Sequence, residues 1–129
     1  MTSADDPRLA YLNWLNSSTS DVAVLCFTEA NLSEVANTEQ LGDELNLLVD
    51  HFEFHHVVLS FRNVRFLSSS VLGKLISFHR RIKRLEGKLV LCEFSDPLID
   101  VLTTSNLLKY FQIAESVDQA QNDMKQSVE

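Results

Sequence analysis

At 129 residues, with 45% hydrophobic and 22% charged side chains, the chain has the composition of one globular domain, which excludes a disordered, collagen-like or low-complexity polypeptide. Its formal net charge of −7 opposes a phosphate backbone and an anionic bilayer alike, so the expected partner is a protein or a small ligand, with no nucleic acid and no membrane. The longest uncharged apolar runs fall far short of the roughly 20 residues a spanning helix needs, and residues 1–7 hold aspartates where a secretory leader carries basic residues, so a soluble, cytoplasmic protein is expected.

Residues 11–15 alternate apolar side chains with asparagine, the pattern of an edge strand, and the polar residues 16–20 supply the turn of a hairpin onto the next strand. That strand, Val22-Ala23-Val24-Leu25-Cys26-Phe27, is uncharged throughout and is expected to be buried on both faces. Asn37 and Gln40 have the spacing of a capping box, after which Leu41, Leu45 and Leu48 recur on one face of a helix reaching Asp50. Residues 57–61 form a second buried strand. Ser68-Ser69-Ser70 opens the strongest helix, in which Val71, Leu75, Phe78, Ile82 and Leu85 make one apolar stripe and Gly87 marks the end. A third buried strand covers 89–92. Ser95 is placed to cap a short helix with Pro97 at its first position and Leu98, Val101 and Leu102 on its buried side. Residues 110–114 form a last short strand, and Ser116 with Gln119 repeats the capping-box spacing ahead of Ala120 and Met124. This alternation predicts one α/β domain, its core at about residues 9–124, with a mixed, mostly parallel central sheet of about five strands and about four helices.

Signatures of catalysis are absent: there is no Gly-rich phosphate loop, no H-E-x-x-H and no G-x-S-x-G. Gly42, Gly73 and Gly87 are too few to bring backbone close to a pyrophosphate, so no cofactor is expected. Cys26 and Cys92 each lie inside an apolar run and read as reduced, buried thiols. His51, His55 and His56, with Glu53 among them, have the one metal-like spacing, but they fall where a helix gives way to a strand. They read as surface residues favoured by the helix dipole, and no metal is expected. His79 borders the apolar stripe of the long helix and reads as a packing residue. A hydrolase built on Ser69 is disfavoured, because His79 lies ten positions further along the same helix.

Lys74, Arg80, Arg81, Lys83, Arg84 and Lys88 form a basic run in an acidic chain, which is either a solvated helix face or a docking surface for an acidic partner. The most informative segment is Ser68-Ser69-Ser70, three hydroxyls where free N–H groups and the dipole create positive potential. Either Ser68 caps the helix with Ser69 and Ser70 simply solvated, or the corner accepts a phosphate.

Residues 57–61, Val64, Phe66-Leu67-Ser68-Ser69-Ser70-Val71-Leu72-Gly73 and Gly87-Lys88-Leu89-Val90-Leu91-Cys92 resemble the STAS domain, the module of bacterial anti-sigma-factor antagonists. The family pattern is an apolar strand ending in Asp, then phenylalanine, an apolar residue and D-S-S/A-G-L-G, an amphipathic helix, and a strand beginning G-x-x-L. The resemblance runs from about Asp21 to Ala120, with Val101-Leu102, Leu107-Leu108 and Tyr110-Phe111 resembling the last helix and strand. It implies a single STAS-like domain over 1–129 that sequesters an anti-sigma factor and so regulates sigma-factor-dependent transcription, without catalysis.

By the same resemblance Ser69 takes the place of the family's phosphorylated serine, with Ser68 and Ser70 as lesser alternatives, and a serine kinase, often the anti-sigma factor itself, is the modifying partner. Partner binding is assigned to Ser68, Ser69, Ser70, Val71, Leu72, Gly73, Lys74, Ser77, Arg80 and Arg81. Three positions depart from the pattern: Ser60 and Ser68 stand where the family has Asp, and Val71 where it has Gly, adding bulk where a partner is expected to approach. The alternative is an accessory domain of a lipid or anion transport system, or of a larger signalling complex, that binds a small ligand in an apolar cavity.

Overall fold

The computed structural model describes residues 9–15, 21–32, 35–104, 106 and 109–128. In chain order the elements are β1 (Leu12–Trp14), β2 (Ala23–Phe27), β3 (Asn31–Leu32), α1 (Val35–Asp50), β4 (His56–Ser60), β5 (Phe66–Leu67), α2 (Ser69–Arg84), β6 (Lys88–Cys92), α3 (Asp96–Thr104), β7 (Gln112–Ala114) and α4 (Val117–Val128). The alternating segment at 11–15 becomes the edge strand β1, which pairs antiparallel with β2, Leu12 opposite Phe27 and Trp14 opposite Leu25. The expected turn at 16–20 and Leu107-Leu108 lie outside the described residues. The central sheet runs β1-β2-β4-β6-β7, parallel from β2 onward, so the mixed, mostly parallel five-stranded sheet is as expected.

Uncharged strands suit the middle of this sheet because helices cover both faces. Ala23, Leu25, Phe27, Val57, Leu59, Leu89 and Leu91 pack with Leu41, Leu45 and Leu48 of α1 and with Val71, Leu75, Phe78 and Ile82 of α2 in one cluster. On the opposite face Val24, Val58, Val90 and Cys92 meet Val117, Ala120 and Met124 of α4 in a second. At the C-terminal end of the strands Phe61 lies between Phe27, 4.8 Å away, and a stacked Phe94 at 4.4 Å. Val64 N–H donates to the Phe61 carbonyl at 3.0 Å, which aims the chain into β5.

Several local features differ from expectation. β3 and β5 form a separate two-stranded parallel sheet, held also by Arg65 and Phe66 N–H groups donating to the Ala30 carbonyl. Pieces of two residues are too short to show a period. α1 begins at Val35, so Asn37 is inside the helix rather than at its cap, and Gln40 donates instead to Glu44 at 3.1 Å. In α3 the Ser95 carbonyl accepts from Ile99 N–H, but the Ser95 hydroxyl is buried without a partner, and Pro97 is the second helical residue. Leu98 and Leu102 are enough to seat this short helix, and Val101 turns outward, 40% exposed.

Leu85, expected on the buried stripe of α2, is also exposed, because the helix has ended at Arg84. The left-handed residue after α2 is Glu86, at φ 60°, rather than Gly87. Gly87 is required for another reason: a Cβ there would lie 1.9 Å from the His55 carbonyl oxygen. At the last capping box Gln119 N–H donates to the Ser116 hydroxyl as expected, while the Gln119 side chain accepts from the N–H of Glu115, one residue before the cap. Among the described residues no helix is long and apolar enough to cross a membrane.

Candidate functional site

Ser68 sits between β5 and α2 with φ −85° and ψ 162°, the extended geometry of an N-cap. Its hydroxyl accepts from Val71 N–H at 3.2 Å, its carbonyl accepts from Leu72 N–H at 3.0 Å, and its own N–H donates to Leu32 of β3 at 3.2 Å. The small sheet therefore fixes the start of the long helix. Ser69 and Ser70 follow with exposed side chains, and the first turn of α2 contains no acidic residue. Free N–H groups and the helix dipole leave positive potential there that no acidic residue of this turn offsets.

Of the residues expected to contact a partner, the helix period separates two groups. Ser69, Gly73 and Ser77 recur every fourth residue and Arg80 follows three later, so they form one exposed row along α2. A Cβ built on Gly73 meets nothing within 4 Å. Val71 and Leu72 point the other way into the core, Val71 with 0% exposure. The expectation that Val71 adds bulk to the partner surface is therefore corrected: its branched side chain fills space beneath the sheet.

The basic run does not act as one face either. Lys74 pairs with Glu39 of α1 at 2.9 Å, and Arg81 pairs with Asp50 of α1, donating also to Asn46 at 2.8 Å. The Arg81 guanidinium holds the Asp50 carboxyl below the usual carboxylate range. Lys88 donates to the Asp123 carbonyl at 3.2 Å. Arg80, Lys83 and Arg84 remain exposed.

A polar cluster missed in the sequence lies at the strand ends. The Ser60 hydroxyl, fully buried, donates to Glu93 at 2.5 Å and accepts from the backbone N–H and the Nε of Arg62, both at 3.2 Å, while Arg62 Nε also reaches Glu93 at 2.8 Å. Parallel pairing sets Ser60 beside Cys92, so Glu93 is one residue past its neighbour. Two apolar strands ending in register, one in Ser and one followed by Glu, would have been the signal. Cys26 and Cys92 flank Ser60 as free, buried thiols; burial raises both, Cys92 to about 12.

His79 packs 4.8 Å from the Tyr110 ring and 5.4 Å from Phe111, and burial, then Lys83, lowers its pKa. At 1.5 Å of rise per residue it stands about 15 Å along the helix from Ser69, too far to serve as its base. Among the described residues no group of His, Cys, Asp and Glu is placed to hold a metal.

Comparison with known proteins places this geometry. A family model described as STAS domain matches residues 17–120. BtrV of Bordetella bronchiseptica, named as a candidate anti-sigma factor antagonist, is 34% identical over 85 residues, 66% of this chain and 72% of that protein. An anti-sigma-factor antagonist (STAS) domain protein from Planctomyces limnophilus has the same fold, with a TM-score of 0.74 at 20% identity over 90% of this chain and 98% of that one. The Bacillus cell fate determinant SpoIIAA in its phosphorylated form matches with a TM-score of 0.64 at 17% identity, covering 87% and 97% of the two chains.

Proposed function

The chain belongs to the STAS domain family, and from that premise we propose that it is an anti-sigma factor antagonist, a cytoplasmic protein-binding module that sequesters an anti-sigma factor and frees sigma-factor-dependent transcription. It acts by binding, without catalysing a reaction. The observation that carries the reading is the exposed row Ser69, Gly73, Ser77 and Arg80, which begins at a helix N-terminus free of acidic residues. Such a row offers a partner hydroxyls, a close approach at glycine and a cation at its far end.

Ser69 is the switch. A serine kinase, which the anti-sigma factor itself can be, adds a phosphate of about −1.5 to −2 charges, and the helix N-terminus stabilises that anion where it stands. Against the partner the same charge is buried without a counter-charge. A loss of about 2.7 kcal/mol already weakens binding a hundredfold. The relative SpoIIAA, whose structure is known in a phosphorylated form, supports this reading.

The test has two arms. The anti-sigma factor of the native host, identified by mass spectrometry after capture and then purified, is titrated with the wild type, Ser69→Ala and Ser69→Asp. Ser69→Ala should bind like the wild type and Ser69→Asp far more weakly; equal affinities for both variants remove Ser69 from the mechanism. Intact-mass analysis with site mapping on protein from the native host should find one phosphate at Ser69.

A further inference from the structure

We propose that a groove between β5 and α3 is a second part of the partner surface, and that it receives an apolar side chain of the anti-sigma factor flanked by a carboxylate. The inference rests on the reading that the Ser69 row binds an anti-sigma factor, and extends it to a different wall of the molecule.

The groove has a volume of about 520 Å³, and Arg65, Phe66 and Leu67 line one side while Pro97, Leu98 and Val101 line the other. Phe66 is 63% exposed and Val101 40%, and these are two of the four large hydrophobic side chains exposed among the described residues. Each has a more buried neighbour in its own element, half-buried Leu67 and buried Leu98, and both of these also line the groove. Phe66 is thus held outward by the β3–β5 pairing, which fixes the pleat, and an aromatic ring presented at the lip of an apolar groove is the usual form of a binding anchor.

Charge selects the occupant. Arg65 is the one charged residue lining the groove, it is exposed, and among the described residues it takes part in no ion pair. In a chain of net charge −7, a guanidinium left uncommitted beside exposed apolar surface complements a carboxylate next to an apolar side chain. Position ties the groove to the switch. Leu67 lines it, Ser68 is the next residue and caps α2, and Ser69 is the first residue of the helix. A phosphate on Ser69 would therefore stand close to the carboxylate that Arg65 attracts and would repel it, so that one modification weakens both parts of the surface.

The experiment titrates the purified, identified anti-sigma factor with the wild type, Phe66→Ala, Arg65→Glu, Ser69→Asp and, as a remote exposed control, Leu85→Ala. Phe66→Ala should weaken binding at least tenfold and Arg65→Glu about as much, with a reduced dependence on salt, while Leu85→Ala stays within twofold of the wild type and all variants keep the wild-type melting temperature. If Phe66→Ala and Arg65→Glu bind normally while Ser69→Asp does not, the groove is refuted and the helix row stands. If Phe66→Ala and Arg65→Glu weaken binding while Ser69→Asp does not, the groove stands and the helix row is refuted as the switch. If sedimentation shows a self-associated wild type that Phe66→Ala converts to monomer, with no loss of anti-sigma binding, the occupant is a second copy of the chain and the proposal is overturned.

Discussion

Gly73 is a stringent test of whether α2 presents its exposed row to a partner. It is the fifth residue of the helix, it has no positive φ, and a Cβ added to it meets no atom within 4 Å. Nothing in the isolated chain therefore requires glycine, which in a helix interior is less favourable than alanine by about 0.8–1.0 kcal/mol. Gly73→Ala should stabilise the protein by nearly that amount, and for a domain of this size each kcal/mol shifts the melting temperature by about 3–6 °C. If a partner approaches the helix at this point, the same methyl group meets a packed interface, where an extra methylene costs about 1–3 kcal/mol. Affinity should then fall by about 5- to 150-fold. Thermal denaturation followed by circular dichroism and titration of the purified anti-sigma factor read the two effects separately. A raised melting temperature with unchanged affinity would remove Gly73 from the interface; a lowered melting temperature would refute the account of the helix itself.

Gly87→Ala should behave in the opposite way, because its Cβ collides with the His55 carbonyl, a backbone atom that also accepts from Lys88 N–H. A loss of about 1–3 kcal/mol or more is expected, seen as an earlier midpoint in urea. The lowered pKa of His79 makes stability depend on pH: with the folded value below the unfolded 6.5, the unfolded chain binds the proton first, so stability is complete above about pH 7 and falls as pH drops below 6.5. His79→Gln should flatten this part of the stability profile, and an unchanged profile would exclude His79 as its source. Cys26 and Cys92, buried and with raised pKa values, should resist a thiol reagent at pH 8 in the native protein and react after unfolding in guanidinium. Rapid native labelling of either thiol would contradict the packing at the strand ends.

The parts of this fold that were legible in the sequence are those in which one physical signal repeats. The uncharged strands around Leu25, Leu59 and Leu91 and the stripe from Val71 to Ile82 carry several consistent positions each, and they appear where expected. Ser68 was legible as a cap because capping is local chemistry. What failed depends on a second segment of chain. Whether Lys74 and Arg81 face solvent or Glu39 and Asp50 is decided by how α1 lies on α2, and no pattern within α2 contains that information. Phe66 and Val101 stand exposed on the two sides of the groove between β5 and α3, and a two-residue strand has no period from which such exposure could be read.

The three departures from the family pattern acquire a common sense once their surroundings are known. Ser60 lacks the carboxylate expected at the end of its strand, but Glu93 supplies one to the same cluster from the neighbouring strand, and a second carboxylate at position 60 would lie against it in a buried setting where like charges repel strongly. Val71 in place of glycine turns into the core and leaves the outer row of α2 unchanged. Ser68 caps the helix through a neutral oxygen, so the first turn of α2 has no negative charge of its own. A phosphate on Ser69 would be the first anion within that turn, whereas beside an aspartate it would be held against a neighbouring charge. Modification should consequently cost this fold less than it costs a chain carrying Asp before the acceptor, and the electrostatic penalty of the added group should fall almost wholly on the complex with the partner.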